Sequence, residues 1–506
     1  MTLYKEYPSC CTRKKDRNDF RNYRAICLLC HAYKLLSAVI AKRLSLQLQP
    51  ILPDSQAGFR PARGTRDNVC ILKWTIDMLI SESKPAVVTF IDYTAAFDTV
   101  SHKFLDQALS SAGISSKLRR IVQSIFLAAT GCVRITKPDG CQETSEPFSI
   151  SRGVLQGDIF SPVAFITGLM HIFKVHDMKD SGVTVGSDSH KVTVRSLEYA
   201  DDAGLIDTTV EQASARISAI SSGSKNDASM EISIPKTKVM HIHRKVRVSE
   251  TTEEEIAAMK FKNVCPDCQR DFPTKRGLAV HQGRWCDGGK TMRSRKGSLA
   301  DKTVQSVKRK QHEDSLGHVF LEGHQLDNVH TFEYLGCRIQ SDGDVKADIN
   351  YRMAIAQTTF NSLSHLWGDH RLTVNMKIRL YKSAVCSTLS HGCEAWTFTQ
   401  SVRKTLNGFN SRCLSFITGE NLKDTATQPG FDLVSAVIRR RLRFAGHILR
   451  MDEDRLLRQT LLAYLNSLKC REESILHGCE DMSLDEIIEL AMNRSAWSDH
   501  INSLEL

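Results

Sequence analysis

Apolar residues recur at helical spacing through much of this chain, with short strand-like runs between them. Residues 31–49 carry Leu36, Ile40, Leu44 and Leu48 at intervals of four, which predicts an amphipathic helix. Pro50, Pro53 and Gly58 end that pattern, and residues 56–68 read as a glycine-containing basic loop. The run Val87–Val88–Thr89–Phe90–Ile91, within 86–92, predicts a buried strand. Two amphipathic helices follow, one lined by Phe104, Leu105, Ala108, Leu109 and Ala112, the next by Leu118, Ile121, Val122, Ile125 and Ala129. Residues 133–151 read as strands and turns, 162–173 as an apolar helix with Pro162 in its first turn. A strand–turn–strand pattern at 196–207, a helix over 211–222 and a strand near 231–242 complete an α+β layout.

The pattern changes after about residue 249. Glu250, Glu253, Glu254 and Glu255 precede a Cys/His cluster, and a basic Gly/Ser-containing stretch over 290–310 reads as a flexible linker. From about 345 the chain reads as helical, with Ile349, Met353, Ala356, Phe360, Leu363 and Trp367 on one face. A chain of 506 residues exceeds one hydrophobic core, so two to four domains are expected. The net charge of +11 favours a polyanionic partner. No apolar run approaches the roughly 18 residues that span a bilayer, and Met1–Glu6 resembles no export signal, so no membrane partner is expected. Sixteen scattered cysteines fit a reducing compartment, and the expected location is nuclear or cytoplasmic.

The sharpest candidate chemistry is Asp201–Asp202, in Tyr199–Ala200–Asp201–Asp202 at the tip of the 196–207 hairpin. Alone, an Asp pair at a turn is common, because Asp tolerates turn geometry. Asp92 ends the strand-like run 86–92, and three carboxylates on neighbouring strand ends suit a two-metal phosphoryl-transfer centre.

Beyond these acids, the order of motifs resembles the reverse transcriptases of non-LTR (LINE-type) retrotransposons. The motifs are Phe90–Asp98, Gly153–Pro162, Tyr199–Asp202, Lys236–Lys238 and Phe332–Gly336, with Asn22–Arg24 and Gln56–Arg60 upstream and Arg440–His447 near the end. The resemblance implies a right-hand polymerase with fingers, palm and helical thumb. It divides the chain into fingers at 1–85, palm at 86–248, an insertion at 249–318, primer grip and thumb at 319–420 and a helical tail at 421–506. It implies an RNA template, a DNA primer, dNTPs and two Mg²⁺ ions, with Asp92 and Asp201 bridging the metals and Asp202 supporting. Phe97 would exclude a ribose 2′-hydroxyl, or be core. Gln156 would lie beside the nucleotide, with Gly153 and Gly157 allowing close backbone approach, or form an ordinary turn. Arg60, Arg63 and Arg66 would meet the triphosphate, or be a solvated loop. Lys236 or Lys238 would protonate the leaving group, or guard a strand edge. Against the enzyme stands a catalytically inactive, transposon-derived nucleic-acid-binding protein, because no endonuclease-like segment is recognised before residue 20 or after 460. RNA synthesis is a third reading, which a phenylalanine at the gate position disfavours.

Within the insertion, Cys265, Cys268, His281 and Cys286 give C-x₂-C-x₁₂-H-x₄-C, with Phe272 and Leu278 at small-core positions. This predicts a Zn²⁺-dependent finger, Cys286 standing where the C₂H₂ pattern has His. Lys275, Arg276 and Arg284 point it at nucleic acid, with a protein contact as the alternative. Cys27–His31 matches the haem pattern C-x-x-C-H, yet reads better as buried thiols in a helical segment. The basic cluster Arg439–Arg443 reads equally as an RNA contact or a solvated face.

Overall fold

The computed structural model describes residues 2–6, 26–136, 140–188, 190–242, 263–264, 271–272, 317–419, 431–467 and 475–504. The chain forms two compact units, one of Met1–His243 with Val319–Leu506, the other Arg244–His318. In the second unit Asn263–Val264 pairs antiparallel with Asp271–Phe272. The expected zinc ligands Cys265, Cys268, His281 and Cys286 lie outside the described residues.

The first unit is built around a five-stranded sheet. Its strands are β1 (Ala86–Ile91), β2 (Ser196–Tyr199), β3 (Asp202–Asp207), β4 (Lys238–Ile242) and β5 (Asp327–Asn328), ordered β5–β4–β1–β3–β2. Strand β1 is central and antiparallel to both β3 and β4. Every residue of β1 is buried, which explains a continuous apolar run rather than an alternating one. Val88 and Phe90 join one hydrophobic core, Val87 and Ile91 the other, as the two-residue period of a strand requires. A second sheet pairs Thr2–Glu6 with Ile26–Leu28 and Thr130–Thr136.

Helices cover both faces. On the Val87 side lie α1 (His31–Leu48), α3 (His102–Ser111), α4 (Ser116–Ala128), α5 (Ser161–His176) and α6 (Val210–Ala228), close to the expected spans. Helix α2 (Thr65–Ser81) lies on the Val88 side and was not expected. Its first turn occupies the end of the predicted loop 56–68, where the Asp67 carboxylate accepts from Gly64 N at 3.3 Å. Cys70, Ile71, Leu72, Trp74, Ile76, Met78 and Leu79 are all buried and Lys73 with them, so the apolar residues do not confine themselves to one side and the period is masked. The expected strand near 231–242 is interrupted: Ile232 bridges to Tyr93, the chain turns at Ser233–Thr237 around Pro235, which offers no N–H, and the ladder resumes at Lys238.

The C-terminal part is helical as expected, with α7 (Lys346–Ser362), α8 (Gln400–Thr418), α9 (Leu433–Leu449), α10 (Leu456–Ser467), α11 (Leu484–Met492) and α12 (Arg494–Ser503). These helices share one core with α2, and Trp74 stacks on Tyr464 at 5.6 Å. The boundary expected at 421 falls within a single compact unit, whose junction with the other lies at His318–Val319. Cys27 is buried in a strand, whereas Cys30 is exposed at the N-cap of α1, so the helical reading of Cys27–His31 is corrected. Among the described residues no helix is long and apolar enough to cross a membrane.

Candidate active site

The β1–β3 ladder brings the three predicted carboxylates together at one end of the sheet. Ala203 pairs with Ile91, and the next step along that register sets Asp202 across from Asp92. Asp202 also pairs with Tyr199, leaving Ala200 and Asp201 as the two-residue turn. Ala200 takes a left-handed φ of 57°, which closes the hairpin with a twist matching its strands. Asp92 follows β1 directly, with its carbonyl accepting from Ser233 N at 2.7 Å.

Among the described residues no three His, Cys, Asp or Glu side chains converge closely enough to form a metal cage. The carboxylates share a strand end without closing on a common centre. One Asp92 oxygen is held instead by Lys236 Nζ at 3.0 Å, and both side chains are substantially exposed, at 36% and 61%. An ion pair this exposed contributes roughly 0–1 kcal/mol, so a divalent cation can displace the ammonium. The hard-oxygen donor set suits Mg²⁺. Lys238 is tied elsewhere, to Asp327 at 2.5 Å and the Pro235 carbonyl at 2.6 Å, so Lys236 is the lysine that reaches the acids.

The loop 55–59 braces the aspartate turn. Gln56 is buried, and its Oε1 accepts from Ala200 N at 3.1 Å and Gly58 N at 2.8 Å. Ala57 N donates to the Glu198 carbonyl at 2.9 Å, and Glu198 N to the Ser55 carbonyl at 3.0 Å. A Cβ on Gly58 would stand 2.4 Å from Ala200 N, so only glycine lets these backbones touch. The sequence reading assigned Gln56 no individual role, and its sole signal is a polar residue before Ala–Gly in an otherwise basic loop.

Arg60 and Arg63, expected at the triphosphate, are held here by the same scaffold. Arg60 is 8% exposed and donates to Gln49 Oε1 at 3.0 Å, the Pro53 carbonyl at 2.5 Å and the Gln56 carbonyl at 3.1 Å. Arg63 is ion-paired with Asp54 and donates to that residue's carbonyl at 3.1 Å. Arg66 pairs with Glu394 at 3.2 Å. Arg60 and Arg63, whose donors are taken up by protein acceptors, reach phosphate only after rearrangement, whereas Arg66 is 47% exposed and meets Glu394 through Nη1 alone.

Phe97 is half-buried. Its ring stacks on Phe165 at 4.1 Å, and Phe59, 47% exposed, meets it edge-on at 6.2 Å. Gln156 is also half-buried, with its carbonyl accepting from Cys27 N at 2.9 Å. The glycines around it, expected to allow close approach to a nucleotide, lie close to neighbouring backbone. A Cβ on Gly153 would lie 2.6 Å from the Asp98 carbonyl oxygen, and one on Gly157 2.9 Å from that of Cys27. Asp158, beyond the predicted set, is buried and accepts from Ser37 Oγ at 2.5 Å, Ser161 Oγ at 2.7 Å and Ile159 N at 2.9 Å. The segment Phe332–Gly336 forms a hairpin of Thr331–Tyr334 with Cys337–Gln340, turning at Leu335 and Gly336, both at positive φ. Phe332 stacks on Phe90 at 4.2 Å, and the Tyr334 hydroxyl donates to the Leu197 carbonyl at 3.0 Å. That hairpin is thereby seated on the strands that carry the acids.

The sequence profile of the family described as reverse transcriptase (RNA-dependent DNA polymerase) matches residues 12–339, a stretch holding all three acids and the Phe332–Gly336 turn. The chain belongs to the reverse transcriptase family. It is 29% identical over 193 residues to the retrovirus-related Pol polyprotein of a type-1 retrotransposable element R2 of Popillia japonica, covering 38% of this chain and 26% of that one. A type-2 R2 polyprotein of Drosophila melanogaster is 28% identical over 158 residues, covering 31% of this chain and 14% of that one. This reverse transcriptase chain thus matches about a quarter or less of the length of these relatives. Among solved structures, apo telomerase from Candida tropicalis aligns over 94% of this chain and 67% of that one, at 12% identity and a TM-score of 0.37.

Proposed function

We propose that this chain is the RNA-directed DNA polymerase of a non-LTR retrotransposon, adding dNTPs to a primer 3′-hydroxyl on an RNA template. The observation that carries the reading is the β1–β3 register, which sets Asp92 beside the Asp201–Asp202 turn in a chain of the reverse transcriptase family. Asp92 and Asp201 would hold two Mg²⁺ ions, with Asp202 as the supporting ligand. When bound, Mg²⁺ lowers the pKa of the attacking hydroxyl and neutralises charge on the leaving pyrophosphate.

The chain's own residues supply the rest. Lys236, released from Asp92, stands where it can donate a proton to the leaving group. Phe97, backed by Phe165, presents a stiff wall to the sugar and excludes a 2′-hydroxyl by shape. Gln156 flanks the nucleotide, and Gln56, Arg60 and Arg63 hold the loop that positions the aspartate turn. Cys265, Cys268, His281 and Cys286 would hold a structural Zn²⁺ in the insertion; purified protein should carry about one zinc per chain, and a ratio near zero would remove the finger.

The enzyme reading is tested by primer extension on poly(rA)/oligo(dT) with dTTP and Mg²⁺. Incorporation is expected, and Asp201→Ala should lower it by at least about 100-fold, the upper range for losing even an outer-shell partner of a metal site. Folded protein with no incorporation, or an unimpaired Asp201→Ala variant, overturns the reading. In the same assay Phe97→Ala should raise UTP use relative to dTTP by about tenfold or more, since a lost steric wall is worth a kcal/mol or more.

A further inference from the structure

A basic cavity of ≈ 540 Å³ lies between the start of α2, the segment around Lys382–Ser390, and α9. The Arg440–His447 stretch singled out in the sequence forms one wall. Ala436, Arg440, Arg443 and His447 line it at spacings of four, three and four, which is one face of a helix. Arg66 enters from α2 and lies over the Phe444 ring at 4.9 Å, while Lys382 lies over Phe431 at 4.4 Å. None of the residues lining the cavity is acidic.

Two of the cations are fixed in place, while Lys382 and Arg443 are exposed. Arg66 and Arg440 meet the same oxygen of the fully buried Glu394, at 3.2 and 2.9 Å, and Arg440 also donates to Ser390 Oγ at 3.0 Å. Four cations over one buried carboxylate leave an excess of three positive charges. Asp432, between the lining residues Phe431 and Leu433, is turned to Val434 N and Ser435 N, each at 3.0 Å, and Asp67 to Gly64 N at 3.3 Å. Burial, reinforced by Arg450, Arg66 and Arg455 and opposed by Asp67, holds the His447 imidazole below its usual range, so it is a neutral hydrogen-bonding group at neutral pH.

The volume lies within the roughly 300–1,000 Å³ that encloses groups of small-molecule size. One or two nucleotides of a single strand fit such a space, whereas a double helix presents its phosphates on a convex rod and meets only the rim. Concave basic surfaces with aromatic rings are how single strands are held without sequence readout. The rings here are capped by cations, so they brace the guanidinium and ammonium groups, and phosphate is the group recognised.

We propose that this cavity binds the sugar-phosphate backbone of single-stranded RNA, separately from the carboxylate centre. The choice of RNA rests on the polymerase reading, while the site itself does not require that centre to be active.

The test is fluorescence anisotropy of the full chain, without nucleotides, on a labelled single-stranded RNA, the same DNA sequence, and an RNA–DNA duplex. Lys382→Glu with Arg443→Glu, both exposed positions, should weaken single-stranded RNA binding at least about tenfold at an unchanged melting temperature. The salt slope should become shallower by about 1.4, from roughly 0.7 per lost phosphate contact. Lys382→Arg with Arg443→Lys should retain binding, and Asp201→Ala should bind as tightly as the unaltered chain even if no extension is ever seen. Unchanged affinity in the charge-reversed protein, an equal loss on duplex, or tighter binding of single-stranded DNA than RNA would overturn the proposal.

Discussion

At the residue scale, the aspartate turn depends on groups that carry no charge. Gln56 gives one carbonyl oxygen to two backbone donors, Ala200 N and Gly58 N, and so ties a remote loop to the residue preceding Asp201. Gln56→Met preserves the length and removes the acceptor. A buried donor left unpaired costs about 1–3 kcal/mol, and the released turn should lose part of its carboxylate alignment. Hydrogen exchange at the Ala200 amide should therefore accelerate, and kcat should fall more than KM rises. Exchange as slow as in the unaltered chain would remove Gln56 from the positioning role. The arginines show how burial narrows what a residue type offers. Arg60 and Arg63 suit phosphate by chemistry, yet their donors are consumed by Gln49, Pro53, Gln56 and Asp54. Residue type states what a guanidinium can bind, and only burial with its partners states what it does bind.

At the element scale, the strand β1, the hairpin β2–β3 and helices α1, α3, α4 and α5 were legible because each shows either an apolar run or a one-sided stripe. Helix α2 was not, because burial on all sides erases the periodic signal. Glycines here make room for other segments of chain. In α9 a Cβ on Gly446 would stand 2.1 Å from Trp497 Nε1, which itself donates to the Leu442 carbonyl at 3.0 Å. Gly446→Ala should drive the indole out of that seat and cost about 1–3 kcal/mol, the usual range for overpacking. A chemical denaturation midpoint as high as that of the unaltered chain would contradict this packing.

At the scale of the whole molecule, the sequence divides into five regions, whereas the described residues outside Arg244–His318 behave as one compact unit. The reason is the core that runs from α2 beneath the sheet to the C-terminal helices, with Trp74 against Tyr464 as one of its joints. Replacing residues 249–312 by a short Gly/Ser linker should leave the melting temperature of the remaining chain within a few degrees, since a separate compact unit contributes little to its neighbour's core. A collapse of the melting transition would show that the insertion helps to build the polymerase core.

The sequence alone carried most elements outside α2, the three carboxylates and the reverse transcriptase family. All are local or collinear properties, written in apolar periodicity and in motif order. Tertiary structure alone decided that Lys236 rather than Lys238 faces Asp92, that Gln56 braces the turn, and that Arg66 and Arg440 converge on Glu394 across more than three hundred residues. Those outcomes depend on which distant groups share a buried acceptor, and a linear pattern carries no distance between such groups.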